Sequence, residues 1–119
     1  MVKNKTWIYH HVNVVKVIDG DTVVLEIDLG NRCWWYEHFR LYGYNAPEPR
    51  GESRVEGMAA TQRLRELLVD GVVAVETLRP NKYGRTFAKV FIMQDGLQAD
   101  VADIMVAEGH GLAYAGVKQ

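Results

Sequence analysis

The sequence predicts a β-rich α+β domain: a five-stranded Greek-key barrel of the OB type, with one helix between strands three and four and a second at the C-terminus. Three observations predict it. Three strand-like segments follow one another with turn signals between them. A helix with a start signal comes next. Two further strand-like segments then precede a second helical pattern. A generic α+β sheet is the competing arrangement. No internal repeat, low-complexity tract or linker divides the 119 residues, so 1–119 reads as one domain.

His11 to Ile18 is rich in β-branched residues and ends at the turn dipeptide Asp19-Gly20. From Thr22 to Leu29 the pattern alternates, with Val23, Leu25, Ile27 and Leu29 on one side and Thr22, Val24, Glu26 and Asp28 on the other. Gly30-Asn31 turns the chain into a third strand, Cys33 to Tyr42. Its one face carries Cys33, Trp35, Glu37, Phe39 and Leu41; its other carries Trp34, Tyr36, His38, Arg40 and Tyr42. Gly43 to Gly51, with Pro47 and Pro49, is a loop. Ser53-Arg54-Val55-Glu56 has the form of a capping box, and Ala60, Leu64, Leu67 and Leu68 mark one face of a helix reaching about Val69, with Gly71 as its stop. Val72 to Leu78 and Thr86 to Met93 read as strands joined by 79–85. After Asp95-Gly96, the residues Leu97, Val101, Ile104 and Met105 predict a helix ending near Gly109.

The composition excludes several classes. A single cysteine, Cys33, cannot build a disulfide framework or a multi-cysteine zinc site. No apolar run is long enough to span a bilayer, so no membrane is expected. No signal peptide is visible at Met1 to Trp7, so a cytoplasmic protein is expected, with a secreted mature form as the other reading. A net charge of −1 argues against attachment to nucleic acid by bulk charge alone. The charge is nonetheless uneven: Arg79, Lys82, Arg85 and Lys89 lie in a stretch without acids, and Asp95, Asp100, Asp103 and Glu108 in one without bases. His10, His11, His38 and His110 show no ligand spacing.

Several short segments carry chemistry. Asp19-Gly20-Asp21-Thr22 sets two carboxylates at a strand junction, the oxygen chemistry that calcium takes; the plainer reading is a hairpin turn. Asn45 offers an amide oxygen, Ala46 a carbonyl, and Glu48 a carboxylate in a proline-stiffened loop that can deprotonate water. Arg40, in a strand, can clasp phosphate with two parallel hydrogen bonds, or simply lie along aromatic rings. Arg85 sits in Lys82-Tyr83-Gly84-Arg85 at a hairpin mouth. Together these are the parts of metal-assisted phosphodiester hydrolysis.

Ile18-Asp19-Gly20-Asp21-Thr22, Phe39-Arg40-Leu41, Ala46-Pro47-Glu48 and Lys82-Tyr83-Gly84-Arg85, in that order and spacing, resemble the staphylococcal nuclease (thermonuclease) family from about Val14 to Tyr114. The resemblance implies an OB-type barrel and a calcium-dependent, sequence-nonspecific nuclease that cuts DNA and RNA to 3′-phosphate ends. It implies Asp21 as a calcium ligand, Asp19 as a neighbouring, water-mediated one, and the Ala46 carbonyl and Asn45 completing the set. Arg40 and Arg85 would bind the phosphate and Glu48 would be the general base. Lys82 and Tyr83 would touch a terminal phosphate, and Tyr114 would stack on a base. One Ca2+ is expected, with Mn2+ or Mg2+ as substitutes. The founding member has an aspartate where this chain has Asn45, which removes a charge from the ligand set. It is also strongly basic, whereas the near-neutral charge here predicts weaker, salt-sensitive binding to polynucleotide. It carries a third helix where this chain stops, and Trp34, Trp35 and Tyr36 are candidates for an apolar patch covered by self-association or a partner. The alternative function is an OB-type module, weakly catalytic or inactive, that binds single-stranded nucleic acid or a protein.

Overall fold

A computed structural model describes residues 6–78, 80 and 86–113. The alternating segments become strands where expected: β2 is Val12–Asp19, β3 Thr22–Gly30 and β4 Cys33–Leu41, after a short β1 at Trp7–Tyr9. A two-residue β5, Tyr44–Asn45, follows. Helix α1, Arg54–Leu68, precedes β6, Ala74–Thr77, β7, Phe87–Gln94, and β8, Leu97–Asp100; helix α2, Val101–Ala107, and β9, Leu112–Ala113, come last. β2, β3 and β4 form an antiparallel meander whose β3–β4 turn places Asn31 and Arg32 at positive φ.

One mixed sheet runs β1-β6-β7-β4-β3-β2, with β8 on β7, and β5 pairs β9 separately. β4 and β7 pair in parallel through Arg40↔Phe87 and Leu41↔Ala88. The expected five-stranded barrel is corrected here: the described residues hold nine strands, and the sheet does not close. The five predicted strands are present and α1 lies between the third and fourth of them, but among the described residues the hydrogen-bonded ladder has two ends, β1 and β2. Those ends are consecutive in the chain. The polypeptide leaves β6 at Tyr9, bends through His10-His11 and joins β3, so covalent chain rather than a ladder spans the gap.

The core fills the space between this sheet and the two helices. Val23, Leu25 and Ile27 of β3 and Phe39 and Leu41 of β4 meet Ala60, Leu64, Leu67 and Leu68 of α1 and Val101, Ala102 and Met105 of α2. The predicted α1 stripe is therefore the packed face. α1 is tied to the end of α2 by a fork: Arg63 Nε and Nη2 donate to the two Glu108 oxygens at 2.7 and 2.8 Å, and His110 Nε2 lies 3.4 Å from Glu108.

Two local expectations change. Leu97 does not begin a helix; it is exposed on β8, opposite Gln94, because Asp95 and Gly96 both take positive φ and close a tight hairpin. α2 starts only at Val101, where Asp100 accepts a hydrogen bond from the Ala102 amide at 2.9 Å. The capping box does not form either. A 3-10 turn at Gly51–Ser53 feeds α1, and Ser53 Oγ donates instead to the Glu48 carbonyl at 2.8 Å.

Candidate functional site

Gly20 and Asp21 form the two-residue turn between β2 and β3, with Asp19 paired to Thr22 across it. Gly20 is required there for closeness: an added Cβ would lie 2.7 Å from the Ala60 Cβ and 2.8 Å from the Ala46 Cβ. The acidic turn therefore rests directly on α1 and on the loop after β5. The register Thr22↔Arg40 then brings the middle of the site together, since Arg40 stands on β4 beside that turn.

Asp21 is the centre of the arrangement. Its Oδ2 accepts from Arg40 Nη2 at 3.3 Å and from the Ala46 amide at 3.0 Å. Its Oδ1 accepts from Thr22 Oγ1 at 3.1 Å, and its own amide donates to Asp19 Oδ1 at 3.2 Å. Its carbonyl accepts from the Leu41 amide at 2.8 Å, fixing the turn to β4. Arg40 Nη2 also donates to Asn45 Oδ1 at 3.2 Å. One guanidinium nitrogen thus sits between an aspartate oxygen and an amide oxygen that are far apart in the chain.

Asp21 is buried, and its carboxyl is raised from an ordinary 3.8 to about 6: burial, then the hydrogen-bonded Asp19 side chain, outweigh the Ala46 amide and Arg40, which lower it. Two carboxylates held together in a partly dry turn repel one another, and a cation relieves that repulsion. Among the described residues no three His, Cys, Asp or Glu side chains are grouped to hold a metal; the third oxygen here is the Asn45 amide. Asp19, Asp21 and Asn45 supply oxygen donors only, so the set fits a hard divalent cation better than a soft one. Ala46 stands at the same place, its N–H donating to Asp21 Oδ2 at 3.0 Å.

Two neighbours were not foreseen. Thr22 lay within the quoted motif, yet its hydroxyl is a direct partner of Asp21. Tyr44, next to Asn45, is fully buried, and its Oη has no hydrogen-bond partner among the described residues. Burial, then the charges of Asp21 and Asp19, raises the Tyr44 pKa, so the hydroxyl stays protonated as an unused donor. Only its place beside Asn45 in the sequence hinted at this.

Glu48 is set differently from the rest. Its carboxylate is 70% exposed and lies 4.0 Å from Arg50 Nη2, out of contact with Asp21, Arg40 and Asn45. Its backbone, by contrast, is held firmly. Ser53 grips the carbonyl, and an added Cβ on Gly57 of α1 would overlap the Glu48 carbonyl group and Pro49 Cα. Alanine in place of glycine inside a helix ordinarily stabilises by about 1 kcal/mol. Gly57→Ala is expected to reverse that sign and destabilise by about 1–3 kcal/mol through overpacking, read from the urea midpoint at unchanged slope.

Arg85, Lys82, Tyr83 and Tyr114 lie outside the described residues. Trp34 and Tyr36 are exposed as expected, whereas Trp35 is turned inward, edge-on to Phe39 at 5.2 Å and Tyr9 at 6.5 Å. The predicted three-residue patch is therefore two residues on one face. No helix among the described residues is long and apolar enough to cross a membrane.

A family model described as staphylococcal nuclease homologue matches residues 38–119, more than half of the chain. The match includes Arg40, Asn45 and Glu48 and begins after Asp19 and Asp21, which the β2–β3 turn delivers to Arg40 from outside the matched span. No curated protein matches the chain at a significant level.

Proposed function

Since the chain belongs to the family of staphylococcal nuclease homologues, whose domains are associated with nuclease activity and nucleic-acid binding, we propose that it hydrolyses phosphodiester bonds of DNA or RNA without sequence preference, uses calcium, and leaves 3′-phosphate ends. The observation that carries this reading is the meeting of Asp21, Arg40 and Asn45 around a single guanidinium nitrogen.

In this reading Asp21, Asn45 and the Ala46 carbonyl would hold the cation, with the Asp19 carboxylate beside them. The ion, when bound, neutralises charge on a phosphate oxygen. Arg40 binds and orients the phosphate. Both of its contacts employ Nη2, which leaves the rest of the fork for parallel hydrogen bonds to phosphate oxygens. Glu48, fixed through its backbone and exposed at its carboxylate, takes a proton from the attacking water. The bond from phosphorus to the 5′ oxygen then breaks, the 5′ oxygen leaves as a hydroxyl with a proton from solvent, and the phosphate stays on the 3′ side. Arg85, Lys82, Tyr83 and Tyr114 keep the substrate-facing roles that the resemblance implies. Such a site addresses phosphate and sugar, so base identity matters little.

Cleavage of single-stranded DNA, duplex DNA and RNA, compared in calcium and in chelator, tests the reading. Calcium is expected to support cleavage and chelator to stop it; chelator-resistant cleavage removes the metal from the reaction. Glu48→Gln, a change at an exposed side chain, is expected to leave the fold intact and slow cleavage by about 10²–10⁴-fold. An equally fast Glu48→Gln protein removes Glu48 as the base. Mass spectrometry of the products reads the 3′-phosphate.

The exposed Glu48 carboxylate, turned toward Arg50, and the neutral Asn45 favour a second reading, a module that binds single strands without turnover. Strand binding with no cleavage in calcium, magnesium or manganese decides for it.

A further inference from the structure

β4 presents Trp34, Tyr36, His38 and Arg40 in one row, because alternate strand residues share a face. Trp34 is 54% and Tyr36 56% exposed, and His38 is exposed as well. The same strand buries Phe39 and packs Trp35 on its other face, so the core does not need these two rings. Neither ring stacks on another aromatic among the described residues. Across the ladder, Asp28 stands opposite Trp34 and Glu26 opposite Tyr36. Both carboxylates are engaged, Asp28 by the Gly30 amide at 2.8 Å and Glu26 by Asn13 at 3.2 Å.

We propose that the Trp34–Tyr36–His38–Arg40 row is a track for single-stranded nucleic acid, in which the two rings stack on bases and Arg40 takes a phosphate at the cutting end. Alternate residues repeat about every 6.7 Å along a strand, a step comparable to the advance of an extended polynucleotide by one nucleotide. The rings are therefore spaced to meet successive bases. Stacking on a protein ring needs a base free of its duplex neighbours, so the track selects single strands over duplexes. The acids on the β3 side orient the strand: they repel phosphates, which places the sugar-phosphate backbone on the opposite side of the row with bases over the rings. Continuity with Arg40 favours this occupant over a second copy of the chain, since a self-association surface would have no use for an aromatic row ending at a phosphate-binding guanidinium. The track rests on the phosphodiesterase reading of Arg40.

The test uses fluorescence anisotropy of a labelled thymidine oligonucleotide of about twelve nucleotides, in chelator, together with cleavage of that oligonucleotide and of a thymidine dinucleotide in calcium. Trp34→Ala and Tyr36→Ala are each expected to weaken oligonucleotide binding about tenfold and to lower the oligonucleotide-to-dinucleotide ratio of kcat/KM by a similar factor. Trp34→Phe restores most of the loss, because a ring returns. Duplex of the same sequence is expected to respond much less. If wild type cleaves both substrates and the alanine variants bind and cut the oligonucleotide as well as wild type, the track is wrong and the nuclease reading stands. If nothing is cleaved but the rings still govern oligonucleotide binding, the nuclease reading falls and the cutting end at Arg40 with it, while the stacking of bases on the two rings stands. If sedimentation velocity shows a wild-type dimer that the variants dissociate while oligonucleotide binding is unchanged, the face is a self-association surface and the track is overturned.

Discussion

Arg40→Ala is expected to reduce cleavage of single-stranded DNA by about 10²–10³-fold, the usual loss when one donor to transition-state charge is removed. The same substitution is expected to strengthen calcium binding. The two effects have one origin. Arg40 Nη2 lies 3.3 Å from Asp21 Oδ2 and 3.2 Å from Asn45 Oδ1, so a cation must share or take those oxygens from the arginine. Removing the guanidinium deletes both a competitor for the oxygens and a nearby positive charge. Calorimetry of the metal-binding step, without nucleic acid, reads the second effect apart from catalysis. Weaker calcium binding in Arg40→Ala would mean that the arginine organises the oxygens rather than competing for them. Arg40→Lys should restore little activity, because an ammonium cannot make the parallel pair of hydrogen bonds.

Asp21→Asn is expected to remove calcium-induced stabilisation and, in chelator above pH 6, to leave the protein more stable than wild type. The sign follows from the direction of the shift. The Asp21 carboxyl is raised from 3.8 to about 6 in the folded protein. A raised carboxyl binds its proton more tightly when folded, so its contribution is favourable below the unfolded pKa and is lost as pH climbs through 6. Above that pH the wild type carries a buried ionised group, at a net cost of about 3 kcal/mol. An asparagine keeps an oxygen for Arg40 and Ala46, and its NH₂ can donate to Thr22 or Asp19. The advantage of Asp21→Asn should therefore appear between about pH 4 and 6 and persist above it. Thermal melts over that range, with and without calcium, measure both parts. A variant less stable than wild type at pH 8 in chelator would show that the ionised carboxylate is a net stabiliser of the turn.

The longer strands were legible because alternation over eight or nine residues leaves one register that buries Val23, Leu25, Ile27, Phe39 and Leu41 together. β1, β5 and β9 were not, since two or three residues carry no period and their pairing is settled by partners distant in the chain. β8 is hidden in the sequence because Leu97, Val101 and Ile104 also fit a helical spacing; the positive φ of Asp95 and Gly96 turns Leu97 back onto β7 instead. In the site, the nearness of Asp21 and Arg40 follows once the β3–β4 turn sets the register Thr22↔Arg40. That Arg40 would bridge Asp21 and Asn45, and that Ala46 would offer its amide, depended on how the loop after β4 folds back, which no local pattern encodes. The Ser53 signal was real but its acceptor was not the helix: the 3-10 turn moved the hydroxyl onto Glu48.

The pairing of β5 with β9 has a consequence for how the molecule matures. Asn45 is laddered to Leu112, and Gly111 passes so close to Asn45 and the Tyr44 ring that any side chain there would collide. During translation at about 5–20 residues per second, several seconds separate the synthesis of Asn45 from that of its partner strand. A nascent chain can already join Asp21 to Arg40, yet it waits for residues 111–113 to leave the ribosome before Asn45 gains its partner strand, so the two halves of the centre assemble in separate steps.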